Sequence, residues 1–428
     1  MRRVVVLGAG FGGLRAILDL ERQYRRRIDV EMILVSDQNF MLFTPLLPQI
    51  ASSFTNPRHI VQAVRDIRGK RRFRFRRDTV RAIDLRARRV ELLDGSLDYD
   101  TLVIALGSRS DYFGIPGTAE HTLNFKSLED SVIFREHVID CLEHADHIED
   151  PAERRRLLTF AVVGGGYTGV ELISELHDFM FGYVTNHYRG ISASEIRLVL
   201  IEAAPDILRG VHPKLAEHSR RRLQKQGVKI RFRARVTQCF PDGIEINNTE
   251  ILSSATVAWS AGVRAVELVE TLPGPHDRIG RAIVNDHLQL EGHPEVFVVG
   301  DSCAPLSTKD APRVAPVAIA EGRIAARNIV HQERGEPLES YVYVSKGVLI
   351  SLGMNHAVVS IAGLQFGGYF AWLFWNAVHL YKLVGLKKQI QVALDWVLGV
   401  IFPRDASIVR RPVGCKLCGT VPAKSRGA

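Results

Sequence analysis

The apolar residues of the chain fall into short runs that end at glycine, and two of these runs share one pattern. Residues 4–7 lead into Gly8-x-Gly10-x-x-Gly13, and an amphipathic segment at helical spacing follows over 14–24. Residues 160–163 lead into Gly164-x-Gly166-x-x-Gly169, with helical spacing over 170–176. Each pattern predicts a buried strand, a tight turn and a helix.

A second strand is predicted after each of these helices. Residues 30–35 run into Ser36 and Asp37, whereas 197–201 end at Glu202. In a dinucleotide fold, an acidic side chain at this position binds the ribose hydroxyls. At the first site the role falls either to Asp37 or to the hydroxyl of Ser36. At the second site Glu202 would repel a 2′-phosphate, which favours NAD(H) over NADP(H).

The glycines of the first turn have separate tasks. Gly8 permits the bend, Gly10 lets the backbone approach a pyrophosphate, and Gly13 lets the helix pack on the strand. The N–H groups at the helix N-terminus then face the phosphates. One such turn is weak evidence, because it can be purely structural. Two of them in the same context, about 155 residues apart, predict two dinucleotide sites.

Two other stretches are candidates for binding. Residues 39–53 are apolar, hold two prolines and lack helix or strand periodicity, which is typical of a binding loop; a satellite hydrophobic cluster is the alternative. Arginine and phenylalanine alternate over 71–77, which predicts a strand with its phenylalanines in the core. Nucleic-acid binding by this run is the weaker interpretation. Residues 80–84 and 89–93 predict a hairpin, and 102–107 another buried strand.

The region near the C-terminus has no charged side chain over 347–381, about 35 residues. This length exceeds the ~20 residues of a membrane-spanning helix. Glycines and polar side chains interrupt the run, however, so we expect strands over 347–360 and two helices, over 370–386 and 389–402. Their tryptophans and terminal lysines suit a helix pair lying at a membrane interface. A dimerisation or core helix pair is the alternative.

A chain of 428 residues is too long for one core, so two or three domains are expected. The net charge of +9 suits binding to nucleic acid or to an anionic membrane and does not choose between them.

Five cysteines without repeated spacing lead us to expect reduced thiols, and a strand that starts close to Met1 leads us to expect no secretory signal. Cys415 and Cys418 form one C-x-x-C pair, but structural zinc needs four ligands, so no metal site is predicted.

Two nucleotide sites suggest one resident dinucleotide and one that exchanges. A flavin is the natural resident, because it accepts a hydride and passes electrons on. A late apolar run over 296–301 ends in Gly300-Asp301, and the chain here resembles flavoproteins with two dinucleotide folds. More specifically, it resembles the type II NADH dehydrogenases, the single-subunit NADH:quinone oxidoreductases. The resemblance is carried by residues 39–53, 99–108, 164–175, 259–263, 296–301 and 346–402.

This resemblance implies an α/β fold with two Rossmann-like dinucleotide-binding domains and a C-terminal amphipathic-helix region for membrane attachment. The FAD domain would span 1–117 and 272–345, the NAD(H) domain 118–271, and the attachment region 346–428. The implied FAD-binding residues are Gly8, Gly10, Phe11, Gly12, Gly13, Ser36, Asp37, Thr44, Pro45, Val80, Ala105, Gly107, Gly300, Asp301 and Ala318. The implied NAD(H)-binding residues are Gly164, Gly166, Gly169, Glu202 and Gly262.

Glu171, two residues after Gly169, matches an acid of the family near the nicotinamide and the quinone. The positive end of its helix would keep the carboxylate ionised, so that it orients a ligand or relays a proton. Capping of the helix is the alternative role.

The family commonly has A-Q-x-A-x-Q after the Gly-Asp strand, whereas this chain has Pro316 and Ala320 in place of the glutamines, followed by Glu321. We therefore expect a more apolar quinone pocket lined by these three residues.

The implied activity is FAD-dependent oxidation of NADH, with two electrons passed to a membrane quinone and without proton pumping. The implied location is peripheral, on the cytoplasmic face of the cell membrane. Expected partners are the quinone and an anionic lipid surface, with no nucleic acid and with a homodimer left open. The alternative is a soluble NAD(P)H-dependent flavoprotein reductase that passes electrons to a disulfide or a small redox protein.

Overall fold

The computed structural model describes residues 1–308, 311–345 and 347–408. Its strands, in chain order, are β1 Arg2–Leu7, β2 Val30–Ser36, β3 Phe40–Leu42, β4 Val61–Ala63, β5 Arg74–Arg77, β6 Val80–Asp84, β7 Arg89–Leu92, β8 Gly95–Asp98, β9 Thr101–Ile104, β10 Ser108–Ser110, β11 Leu123–Asn124, β12 Thr159–Val163, β13 Arg197–Ile201, β14 Lys229–Arg231, β15 Val236–Phe240, β16 Gly243–Ile246, β17 Glu250–Ser253, β18 Thr256–Trp259, β19 Val263–Ala265, β20 Ala282–Val284, β21 Gln289–Leu290, β22 His293–Val298, β23 Cys303–Pro305, β24 Val348–Ser351, β25 Ala357–Ile361 and β26 Leu364–Gly368.

The helices are α1 Phe11–Gln23, α2 Leu47–Ala51, α3 Val64–Arg68, α4 Thr118–His121, α5 Leu128–His147, α6 Pro151–Leu157, α7 Tyr167–Phe179, α8 Thr185–His187, α9 Pro213–Lys225, α10 Glu267–Glu270, α11 Ala315–Arg334, α12 Tyr369–Lys382 and α13 Leu386–Ile401. Short 3₁₀ turns cover Thr44–Leu46 and Gly300–Ser302, and a π-helical turn covers Met180–Val184. Cys415 and Cys418 lie outside the described residues.

The chain forms two compact units. One contains residues 1–42, 61–109 and 263–346, and the other contains 43–60, 110–262 and the residues from 347 onward. The domain boundaries implied by the resemblance stay a prediction. Residues 43–60, which that prediction places in the FAD domain, group here with the second unit.

The first unit is built on an eight-stranded sheet in the order β23-β20-β21-β22-β9-β1-β2-β5. Strands β22, β9, β1, β2 and β5 run parallel, and the last four residues of β1, Val4 to Leu7, are fully buried. Helices α1 and α11 pack closely together, since a Cβ at Gly322 of α11 would lie 2.3 Å from the carbonyl oxygen of Gly12. Parallel strands covered by helices are the α/β arrangement that the sequence predicts.

Residues 74–77 of the alternating arginine and phenylalanine run form the predicted strand, β5, and residues 71–73 precede it. Phe73 and Phe75 are buried, and the arginines lie outside the core. Arg74 pairs with Glu31 at 2.6 Å, and Arg76 with Asp78 at 2.7 Å. The predicted hairpin is also present, as the antiparallel pair β6 and β7.

The second unit has a five-stranded parallel sheet in the order β11-β18-β12-β13-β14. Two antiparallel sheets, β15-β16-β17 and β24-β25-β26, belong to the same unit.

Residues 39–53 do form regular elements, namely β3, a 3₁₀ turn and α2, so the expectation of a loop without them is wrong. All five residues of α2 are buried, as the hydrophobic-cluster alternative requires.

Helices α12 and α13 form the predicted pair near the C-terminus. The expectation that their tryptophans lie at a lipid interface is wrong, because Trp372, Trp375 and Trp396 are buried in the second unit. The exposed side chains form a different surface, which we call the apolar face: Tyr369, Phe370, Leu373, Tyr381, Leu386, Ile390, Leu394, Val397, Leu398, Val400, Ile401 and Phe402. Among the described residues, every helix is too short or too polar to cross a bilayer.

Candidate functional site

The first glycine-rich turn joins β1 to α1 at the carboxyl end of the parallel strands. Gly8 has a φ of +97°, and a Cβ there would lie 2.2 Å from the carbonyl oxygen of Ala105, so only glycine fits. Its N–H donates to the carbonyl of Val35 at 2.7 Å. A Cβ at Gly10 would meet no protein atom within 4 Å. The turn is thus fixed on its strand side and open at Gly10, as close approach by a pyrophosphate requires.

Several of the other predicted FAD residues of the first unit lie at the ends of β2, β9 and β22 in the main sheet. Ser36 is buried and Asp37 is exposed at the end of β2, while Val80 begins β6 and is half-buried. Ser108 donates its hydroxyl to Asp301 Oδ2 at 2.5 Å, and Ser302 donates to the carbonyl of Gly107 at 3.0 Å. These bonds tie the β9 end to the Gly300–Ser302 turn, within one unit.

The altered glutamine stretch forms the first two turns of α11. Pro316 lies in the first turn, where a backbone N–H has no helical partner, so proline is tolerated there. Ala318 packs near Gly12, and Ala320 is half-buried. The carboxylate of Glu321 is buried and accepts a hydrogen bond from the N–H of Gly300 at 2.6 Å. Burial raises the pKa of Glu321 to about 8. This contact makes Glu321 a support of the Gly300 turn, and its quinone contact stays a prediction.

The second glycine-rich turn joins β12 to α7, and Glu202 is fastened directly to it. Glu202 Oε2 accepts a hydrogen bond from the N–H of Gly165 at 2.6 Å, and Oε1 accepts one from the N–H of Ala204 at 2.7 Å. A Cβ at Gly165 would lie 3.0 Å from Oε2 and 2.8 Å from Ile207. Gly165 therefore contacts Glu202 directly at this turn, and the run of three consecutive glycines was the signal for it.

Glu171 lies in the second turn of α7, so it does not cap the helix. Its Oε1 accepts the N–H of Ser351 at 2.9 Å. Burial raises the pKa of Glu171 to about 8, while Ser351 and the indole of Trp375 offset part of that rise. The expectation that the helix end keeps this carboxyl ionised is wrong, because desolvation outweighs the helix dipole.

Glu171 belongs to a line of acidic side chains that sequence reasoning did not connect. Glu175, one turn further along α7, accepts the hydroxyl of Ser52 at 2.7 Å and lies 3.6 Å from Arg404. Burial raises its pKa, and the charge of Arg404 counteracts the rise. Trp375 stacks on His379 with ring centroids 3.9 Å apart, and burial lowers the pKa of His379 to about 4. The partners come from distant parts of the chain, so spacing alone could not reveal them.

Of the remaining predicted residues, Gly262 follows β18, and a Cβ there would lie 2.4 Å from the ring of Phe113. Thr44 is exposed, and Pro45 is half-buried in the 3₁₀ turn. Among the described residues, no cluster of three or more histidine, cysteine or acidic side chains is arranged to hold a metal ion.

Comparison with known proteins identifies the family. The pyridine nucleotide-disulphide oxidoreductase family matches residues 2–322, and the NDH2 C-terminal domain matches residues 345–405. The type II NADH:quinone oxidoreductase NdhA of Mycobacterium tuberculosis is 36% identical over 92% of this chain and 86% of its own length. The chain belongs to the type II NADH:quinone oxidoreductase family.

Other proteins match at lower identity. The type II NADH:quinone oxidoreductase of Staphylococcus epidermidis is 29% identical over 90% of this chain and 96% of its own. The structure of NDH2 from Plasmodium falciparum in complex with NADH superposes with a TM-score of 0.87 over 95% of this chain and 100% of that one, at 19% identity. The sulfide:quinone oxidoreductase of Aquifex aeolicus follows with a TM-score of 0.74 over 94% and 95%, at 18% identity. The predicted α/β fold and family resemblance are confirmed.

Proposed function

We propose that this chain oxidises NADH and reduces a membrane quinone, with FAD as its resident carrier and without proton pumping. The observation that carries the proposal is the pair of glycine-rich turns, one in each unit, each at the carboxyl end of parallel strands. Family membership adds the substrate classes, since relatives that match nearly the whole chain are named NADH:quinone oxidoreductases.

The residues of the first unit fit FAD. The open backbone at Gly10 would receive the pyrophosphate, and the exposed carboxylate of Asp37 favours it over Ser36 as the ribose partner. Asp301, held by Ser108, would bind the ribityl hydroxyls. When bound, FAD supplies the redox chemistry, by accepting two electrons as a hydride and giving them up to a quinone.

The residues of the second unit fit NADH. The two backbone N–H groups that hold Glu202 fix its carboxylate beside the Gly164–Gly169 turn, so the carboxylate needs no rearrangement to accept both ribose hydroxyls. Its negative charge would repel the 2′-phosphate of NADPH.

Glu171 is the residue of this chain that we assign to proton transfer at the quinone. With a pKa of about 8 it holds a proton at neutral pH, so it could donate to a quinone oxygen as charge develops there. The apolar face would attach the chain to the cytoplasmic side of the membrane. The quinone would then reach the enzyme from that membrane. Pro316 and Ala320 offer no side-chain hydrogen bond, which favours quinones with long tails.

A soluble reductase that serves a disulfide is the weaker candidate. Such a relay needs two cysteines close together beside the flavin. In the part of the chain that the structure describes, Cys141, Cys239 and Cys303 are each buried and free.

The deciding experiment is anaerobic reduction of the purified flavoprotein by NADH, followed by addition of a quinone, with the flavin absorbance recorded. Bleaching by NADH and recovery with a long-tailed quinone is the expected result. If quinones leave the flavin reduced while a disulfide or a small redox protein reoxidises it, the reductase alternative is correct.

A further inference from the structure

A basic groove runs along one face of α9 in the second unit. Its lining residues recur at helical spacing along α9 and are completed by a histidine from the turn between β24 and β25: Lys214, Glu217, His218, Arg221, Arg222, Lys225 and His356. The groove is open to solvent and has a volume of about 480 Å³. Lys214 and Lys225 are eleven residues apart, so the row of cations is about 16 Å long.

Most of the positive charge in the groove is not neutralised by the protein. Glu217 binds Arg220 and Arg221, at 2.7 and 2.5 Å. Lys214, Arg222 and Lys225 form no ion pair among the described residues. The Nε atom of Arg222 is also buried without a hydrogen-bond partner in that part of the chain. A guanidinium without an ion-pair partner attracts an anion that enters the groove beside it.

The two histidines of the groove contact each other directly. Nε2 of His218 and Nε2 of His356 are 2.8 Å apart, so one neutral ring donates to the other. Burial and the charge of Arg222 lower the pKa of both, that of His356 to about 4. At neutral pH the pair is therefore uncharged, and the lysines and arginines supply the attraction for an anion.

The groove lies close along the chain to the apolar face. A Cβ at Gly367 of β26 would lie 2.9 Å from Nε2 of His218. Tyr369 and Phe370, two and three residues further, begin the apolar face and are 52% and 79% exposed. Three residues of extended chain span at most about 11 Å. A phosphate held in the groove is thus within a short distance of side chains suited to lipid.

We propose that this groove binds a phosphate ester, and specifically the headgroup phosphate of an anionic phospholipid at the membrane surface. The proposal that the phosphate belongs to a lipid rests on the membrane attachment proposed above. The phosphate chemistry rests on the groove alone, and a soluble phosphate is the other source of the same chemistry.

The test compares two triple variants of the full chain with equal change of charge. The groove variant carries Lys214→Gln, Arg222→Gln and Lys225→Gln. The control variant carries Arg189→Gln, Lys229→Gln and Arg235→Gln, three exposed cations of the same unit outside the groove. Equal flavin content and equal thermal unfolding verify that both variants fold.

Binding is measured by sedimentation with vesicles of phosphatidylcholine alone or with 30% phosphatidylglycerol. A cation near an anionic surface contributes about fivefold to partitioning, so the groove variant should lose about 100-fold on the anionic vesicles and nothing on the neutral ones. The control variant should lose much less. Equal losses in both variants, or no loss in either, would overturn the proposal.

Titration calorimetry with inorganic pyrophosphate separates the sources and does not depend on membrane attachment. In the presence of saturating NAD⁺, which occupies the proposed dinucleotide site of the second unit, wild-type chain should bind pyrophosphate and the groove variant should not. If the wild type binds pyrophosphate in the groove but the groove variant binds vesicles as well as the wild type does, the groove binds a soluble phosphate. That result would overturn the proposal that the phosphate belongs to a lipid. Absence of pyrophosphate binding to the wild type, together with unchanged vesicle binding of the groove variant, would overturn both.

Discussion

Replacing Glu171 by glutamine should make the stability of the protein less dependent on pH. The fold raises the pKa of this carboxyl from 4.5 to about 8, so the unfolded chain releases the proton first as pH rises. The wild type therefore loses stability between pH 4.5 and 8, and below pH 4.5 the group is protonated in both states. Between pH 4.5 and 7 the difference corresponds to about 3 kcal/mol, at 1.36 kcal/mol per pH unit. Partial exposure of the side chain reduces this to about 2 kcal/mol.

The assay is urea unfolding of the wild type and of Glu171→Gln at pH 5, 6, 7 and 8. Glutamine keeps an oxygen that accepts the N–H of Ser351, so the contact seen at 2.9 Å can persist. The variant should gain about 2 kcal/mol on the wild type between pH 5 and 8. Glu149→Gln, at an exposed position, serves as the matched control and should show no such gain. A difference between wild type and Glu171→Gln that is constant over this pH range would refute the argument that burial controls the group.

Three further outcomes are expected. Gly8→Ala should purify with little flavin absorbance at 450 nm, because its Cβ would collide with the carbonyl of Ala105; normal flavin content would contradict this. Glu202→Ala should lower kcat/KM for NADH about 10-fold or more, because a charge-assisted contact is lost, and should bring the kcat/KM values for NADH and NADPH closer together. If the ratio of these two kcat/KM values does not change, Glu202 is not part of the NADH site. Leu394→Glu on the apolar face should reduce pelleting with neutral vesicles at least 10-fold, whereas Leu93→Glu, also exposed but in the first unit, should pellet like the wild type.

The strand-turn-helix units at both glycine-rich turns were predictable to within a few residues, because each depends on local sequence alone. The same holds for β5, because Phe73 and Phe75, on either side of Arg74, have a clear period of two. Strand β26 was not predicted, since it ends in two glycines that ordinarily weaken a strand. The close approach of His218 to Gly367 gives the reason for one of them.

The environment of Glu171 and the direction in which the tryptophans point could not be predicted in the same way. Helices α12 and α13 are apolar on most sides, so periodicity does not tell which side faces the protein. The buried side is set by distant contacts, such as the bond from Trp396 Nε1 to Gln49 Oε1 at 2.8 Å. The raised pKa of Glu171 likewise depends on packing against β24 and α12, about 180 and 200 residues away along the chain.

The apolar face has a consequence for handling the purified protein. A dozen apolar side chains on two adjacent helices, beside a charged body, give the molecule the character of a surfactant. In water without detergent, such molecules adsorb at air–water interfaces and associate through their apolar sides above a threshold concentration. The number of subunits seen by size-exclusion chromatography should then change with detergent and protein concentration. A subunit number measured in buffer without detergent would therefore depend on the solvent as much as on the protein.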